Sequence, residues 1–209
     1  MHRPPRRLSL PFAAAFAAAL LMGGGLSGCT AAGVAVGAGA VTGIAAYQER
    51  GVEGAARDLR LSAEIVDEWM RVDHAIITQI SVEVYEGRAL LTGSVKDDAV
   101  RGRAVTLAWK TGVTDVINEI QVNLDSDIVD AARDSWITAQ IKTRITFDKN
   151  IAAINYSVET VNGIVYLIGI AQNTDELNRV IAYADSTEYV KSVISHVRVK
   201  DAGAVGASS

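Results

Sequence analysis

The chain has 209 residues, with 20 Lys+Arg against 24 Asp+Glu, one cysteine, three prolines and 49% hydrophobic residues. That length suits one or two domains of roughly 100–150 residues each. A single cysteine excludes an intramolecular disulfide framework, and with three histidines it leaves too few soft ligands for a structural zinc site. A net charge of −4 argues against a protein that wraps nucleic acid, and the well-spread apolar residues argue against disorder.

The first 28 residues are a different kind of sequence. Arg3, Arg6 and Arg7 precede an Ala-rich apolar run from Leu8 to Met22, which ends in Leu26-Ser27-Gly28-Cys29. A basic start, an apolar middle and a small-residue exit mark a secretory signal peptide, here residues 1–28. The alternative is an uncleaved anchor, since the run to Gly28 approaches spanning length. Leu-Ser-Gly-Cys resembles the bacterial lipobox, and the chain's one cysteine stands where that motif needs it. The resemblance implies cleavage before Cys29, acyl chains on Cys29, and a bacterial envelope protein held durably because several chains anchor it. Cleavage leaves 17 basic and 24 acidic residues, so the mature chain is acidic. Thr30, rather than an aspartate, follows Cys29, which directs the expectation to the inner, periplasmic leaflet of the outer membrane. Residues 30–46 carry no charge and read as a Gly/Ala tether, or as a helix packed through Gly33, Gly37 and Gly43. The tether segment is expected over 29–56.

The remainder is one module written twice. A shift of 76 residues aligns Asp58–Ile65 with Asp134–Ile141, Ser81-Val82-Glu83 with Ser157-Val158-Glu159, Gly87 with Gly163 and Gly93 with Gly169. One added residue in the second copy then aligns Val113, Val116 and Ile117 with Val190, Val193 and Ile194. The copies are expected over 57–124 and 133–200, joined by a linker from Asp125 to Ala132 and followed by a disordered tail, 201–209.

Each copy opens with a helix whose buried face recurs every four residues: Leu61, Ile65 and Trp69, then Ile137, Ile141 and Ile145. His74 falls near the end of the first of these helices. Alternating strands follow at Ile80–Val84 and Tyr156–Val161, turning at Glu86-Gly87 and Asn162-Gly163 into return strands Arg88–Val95 and Ile164–Ala171. Second helices are expected over Ala99–Lys110 and Asp175–Ala184, and last strands over Val116–Asn123 and Val193–Lys200. The order α-β-β-α-β gives an α+β fold with helices on one face of a small three-stranded sheet.

Val84-Tyr-x-Gly-x-x-Leu-Leu91, the V-x-x-V-x-N-x-I strand from Val113, and Asp134-x-Trp-Ile-Thr138 resemble the BON domain. Two such domains behind a lipobox resemble the dual-BON outer-membrane lipoproteins, over essentially all of residues 29–200. The resemblance implies phospholipid binding in the periplasm, maintenance of the outer-membrane barrier, and no catalysis.

The residues themselves offer no convergent polar constellation of the kind an enzyme needs. His74 and His196 occupy different positions of the repeat, and Asp97-Asp98 precede a helix, where capping explains them. Gly87 and Gly93 flank a strand rather than open a helix, so they form no phosphate loop. No enzyme activity, metal, cofactor, small-molecule substrate or nucleic-acid partner is expected.

Charge separates the two copies. Residues 57–123 hold 8 basic and 11 acidic side chains, whereas residues 133–200 hold 8 and 7, so the second copy is the less repelled by anionic headgroups. On its first helix Arg133, Trp136, Gln140, Thr143 and Phe147 fall within about 80° of arc, away from the core face. Aromatic rings with an arginine and small polar groups suit the headgroup boundary. Lys142 and Arg144 flank the patch, and the equivalent positions of copy one, Arg57, Arg60, Glu64, Asp67 and Arg71, lack an aromatic. By resemblance, the membrane-facing tryptophan of the Asp-x-Trp-Ile-Thr motif carries over to Trp136, whose alternative is to pack against the first copy. The expected function is therefore a lipid-anchored periplasmic protein whose second domain docks on anionic phospholipid and which maintains outer-membrane integrity. The rival is an envelope adaptor that binds a protein partner through its first domain.

Overall fold

The computed structural model describes residues 47–122 and 128–200. The signal peptide, Cys29, the Gly/Ala segment 30–46 and the tail 201–209 lie outside the described residues.

The first module opens with α1 (Gly51–Val72), which buries Leu61, Ile65 and Trp69 on one face. It starts six residues before the boundary expected at residue 57. Asp73 then takes an extended conformation and its carboxylate accepts from Ala75 N, which breaks the helix and caps a short α2 (His74–Gln79). His74 therefore begins a new helix instead of ending the first. Strands β1 (Ile80–Tyr85) and β2 (Arg88–Val95) form an antiparallel hairpin, α3 (Asp98–Trp109) crosses back, and β3 (Asp115–Val122) pairs parallel with β2.

The second module repeats this plan with α4 (Ile128–Phe147), a 3-10 turn (Ala153–Asn155), β4 (Tyr156–Val161), β5 (Ile164–Ala171), α5 (Thr174–Asp185) and β6 (Ser192–Val199). Helix α4 begins at Ile128, so Ala131 and Ala132 belong to it and not to a linker. In both hairpins the two turn residues have positive φ: 52° and 74° at Glu86-Gly87, 53° and 79° at Asn162-Gly163. An aspartate from the first helix holds each turn. Asp58 accepts from Glu86 N and Gly87 N at 2.8 Å each, and Asp134 accepts from Asn162 N and Gly163 N at 2.6 and 2.8 Å.

The helices of each module cover one face of its sheet, as the α+β reading requires. Leu61, Ile65, Trp69, Leu91 and Leu107 form one core, and Ile137, Ile141, Ile145, Leu167 and Val180 the other. The opposite faces are not left to water. Tyr85 and Leu90 pack with Tyr166, Ile168 and Ile170 in a third buried cluster, so the two sheets meet back to back. Both faces of β2 and β5 are therefore buried, which explains the unbroken apolar runs Ala89-Leu90-Leu91 and Ile164–Ile168.

Polar contacts ring this seam. Gln121 Nε2 donates to Val161 O and to Tyr166 Oη, Asn162 Nδ2 donates to Gln121 Oε1 at 2.7 Å, and His196 Nε2 lies 2.8 Å from Glu119 Oε1. The residues before α1 reach across as well: Gln48 Nε2 donates to Ile154 O, Glu49 N to Asn155 Oδ1, and Lys200 Nζ to Glu49 Oε2.

Candidate functional site

Helix α4 turns Ile137, Ile141 and Ile145 inward, and the register of a 3.6-residue helix then carries a second set of side chains outward. Trp136 is 42% exposed and Phe147 81%, while Arg133, Gln140 and Thr143 are exposed between and beside them. These five residues of the expected patch share one outward face. Thr143 is satisfied locally, its hydroxyl donating to Ala139 O.

A neighbour from a distant segment completes the patch. Tyr189, in the loop between α5 and β6, stands edge-on to Trp136 with ring centroids 5.9 Å apart and planes at 67°. The Arg133 guanidinium lies over the Tyr189 ring at 5.3 Å and donates to Asp130 Oδ1 at 2.8 Å. Trp136 therefore packs on its own module's loop, and its exposed edge is on the protein surface. Glu188, hydrogen-bonded to the Tyr189 hydroxyl, raises that group's pKa above its ordinary value. Helical periodicity could not reveal Tyr189, because it lies more than fifty residues from Trp136.

The other two expected residues are engaged elsewhere. Arg144 stacks on Tyr183 at 4.7 Å, and its Nη1 donates to Tyr183 O, Ser186 Oγ and Thr187 Oγ1. It ties α4 to the end of α5 through that Nη1 group. Lys142 is half-buried with its Nζ 3.9 Å from Glu159 Oε1. On the helix surface Arg144 borders the patch at Arg133, whereas Lys142 lies about 100° of arc beyond Thr143, past the opposite edge of the patch.

The equivalent face of α1 is a solvated lattice of ion pairs: Arg60 with Glu64 at 3.6 Å, and Arg71 with Asp67 and Glu68 at 2.5 and 2.9 Å. Such exposed pairs satisfy themselves in water and contribute little else. The copies thus share a buried face and differ on the outward one.

The candidate polar residues of the first module have structural positions. Asp97 caps α3 by accepting from Ala99 N, and Asp98 pairs with Arg101. Among the described residues no cluster of His, Cys, Asp and Glu is placed to hold a metal ion, and no helix is long and apolar enough to cross a membrane.

Two tandem α-β-β-α-β units with these motifs define a family. The BON domain model matches residues 60–123 and 133–201, and the chain belongs to that family. It is 30% identical over 187 residues to the outer membrane lipoprotein DolP of Haemophilus influenzae, covering 84% of this chain and 91% of that one. It is also 46% identical over 129 residues to "Uncharacterized protein in gshII 5'region" of Anaplasma centrale, covering 61% of this chain and 85% of that protein. Osmotically-inducible protein Y of Escherichia coli is 30% identical over 134 residues, covering 62% of this chain and 67% of that one.

Proposed function

We propose that this chain is a non-catalytic, lipid-anchored periplasmic protein of the outer membrane. Acyl chains on Cys29 hold it, and the α4 face of its second BON domain docks on anionic phospholipid to support membrane integrity. The observation that carries the docking reading is the outward pair Trp136 and Phe147 on α4, set where the duplicated helix α1 carries only ion pairs. Large rings exposed on an amphipathic helix gain by entering the headgroup boundary. Arg133 stands in the patch, and exposed Lys149 and Lys191 follow Phe147 and Tyr189 by two residues each, which supports attraction to anionic headgroups. Lys142 and Arg144 are weaker members of the docking set, because Lys142 lies toward Glu159 at 3.9 Å and Arg144 Nη1 is bonded to the end of α5. The outer-membrane location draws on the likeness to the outer membrane lipoprotein of Haemophilus influenzae and on the lipobox at Cys29.

Flotation of the mature chain without its lipid, on anionic and on zwitterionic vesicles, tests this reading. Burying a large aromatic is worth on the order of 2–3 kcal/mol. Trp136→Glu loses that and adds a repelled charge, so anionic-vesicle binding falls at least about tenfold while circular dichroism stays native. Ile141→Glu, which buries an unpaired charge in the core, unfolds the module. A Trp136→Glu variant that floats like the parent sinks the docking face, and an unmodified Cys29 in mature protein from cells sinks the anchor.

A second reading has one feature in its favour. Between the end of α1 and helix α3, Val72, Ala99, Gly102, Arg103, Thr106, Leu107 and Lys110 line an open groove of about 470 Å³ on the first module. A protein partner seated there would make the chain an envelope adaptor, and that chain would ignore vesicles.

A further inference from the structure

The loop that brings Tyr189 to Trp136 has a backbone requirement that both modules share. Gly112 precedes Val113 as Tyr189 precedes Val190 in the repeat alignment. Both residues adopt the left-handed region, at φ 81° and 68°. The first module meets that requirement with a glycine, which enters it freely; the second uses a tyrosine, which does not.

The conformation is imposed by the hairpin beneath the loop. Lys191 N donates to Gly163 O at 2.8 Å, as Thr114 N does to Gly87 O in the first module. Val190 N donates to Thr187 O, and the Tyr189 carbonyl lies against Gly163, 3.0 Å from where a Cβ there would stand. With its carbonyl pressed on the turn and the next two amides bonded, Tyr189 has no room to relax to negative φ.

A strained residue persists when its side chain does something that the relaxed alternative cannot. Tyr189 is 54% exposed and belongs to neither helix-side core, so its ring is not there to fill an interior. Its ring contacts are with Trp136, edge to face, and with the Arg133 guanidinium above it. Those are the aromatic and the cation of the docking patch.

We propose that Tyr189 is a positioning residue of the phospholipid site, kept in a strained backbone conformation to hold Trp136 and Arg133 in their membrane-facing orientation. This rests on the docking reading of α4 given above. Preorganised side chains lose less rotamer freedom when a headgroup arrives, so removing the buttress weakens binding without touching the groups that bind. The same removal relieves the backbone, so stability moves the other way.

The opposite signs make the test. In the mature chain Tyr189→Gly raises the Tm by roughly 2–4 °C. The same variant weakens binding to phosphatidylcholine vesicles doped with phosphatidylglycerol by roughly three- to tenfold. Tyr189→Phe keeps the ring and the strain, and matches the parent in both measurements. A Tyr189→Gly protein with a lower Tm overturns the proposal, because the ring would then be holding the fold. So does a Tyr189→Gly protein that binds like the parent while Trp136→Glu does not, and in that case the docking face stands alone. If neither substitution weakens binding, the docking face falls and this proposal falls with it.

Discussion

Glu83 on β1 and Glu159 on β4 are the same residue of the two repeats, and both are turned into the seam between the sheets. Their cross-strand partners are Leu90 and Tyr166, which sit in the buried cluster where the sheets meet. Side chains directly opposite on paired strands share a face. Burial, and next the charge of Glu159, push the Glu83 carboxyl up to about 7, against the opposing pull of Arg50, Lys142 and a hydrogen bond with Ser157. Burial also raises Glu159, with Lys142 opposing.

A carboxyl whose pKa is raised by folding holds its proton more tightly in the native state. The stability this contributes is complete below the ordinary glutamate value of 4.5 and is lost as pH climbs through about 7. Glu83→Gln should therefore leave the unfolding free energy from urea titration near the parent's at about pH 5 and raise it at about pH 8, by on the order of 2 kcal/mol. Parallel pH profiles for parent and variant would show that the seam carboxylates do not couple to folding.

Asp58 and Asp134 each satisfy two amides of a hairpin turn, and Asp58 also takes Arg50 Nη1 at 2.8 Å. Each charged hydrogen bond contributes about 1.5–3 kcal/mol, and an unpartnered buried amide is penalised further. Asp134→Ala should destabilise by about 2–4 kcal/mol in urea titrations, and Asp58→Ala by more, since it also removes the carboxylate partner of the largely buried Arg50. A loss under about 0.5 kcal/mol in either would mean that water replaces the carboxylate without penalty.

Gly169 has φ 150°, and a Cβ there would stand 1.9 Å from Asn155 O, where the hairpin's first strand begins. Gly169→Ala must move main chain, so a destabilisation above about 2 kcal/mol is expected. Gly102 lies inside α3, with nothing within 4 Å of an added Cβ, and Gly102→Ala should stabilise by about 0.5–1 kcal/mol. Thermal melts of the two variants should shift in opposite directions.

The parts of this fold that sequence discloses are those with short-range physics. Four-residue spacing found the buried faces of α1 and α4, and Glu86-Gly87 and Asn162-Gly163 announced their turns. The match between copies, gap-free as far as the second helix, disclosed the duplication. The break at Asp73 escaped because the apolar pattern runs on through Ile76, and only the Asp73 side-chain cap at Ala75 interrupts it. The seam was written in the continuous run Ile164–Ile168, but naming its cover requires knowing that β2 lies behind it. At the candidate site the five outward residues of α4 were readable as an arc. Tyr189 was not, and neither were the partners that engage Lys142 and Arg144, because all of these come from elements distant in the chain.

The back-to-back meeting of β2 and β5 gives this duplication a direction in time. Once Leu90 came to rest on Tyr166, Ile168 and Ile170, each half acquired an apolar surface that only the other half keeps dry. The seam places no such demand on the outward helix faces, where one copy carries ion pairs and the other rings. Mutation is not free to discard a copy. A lineage that lost either half would inherit a sheet with a bare oily back, prone to stick to its own kind, so the gene works as a ratchet: it could double, but it cannot easily become single again.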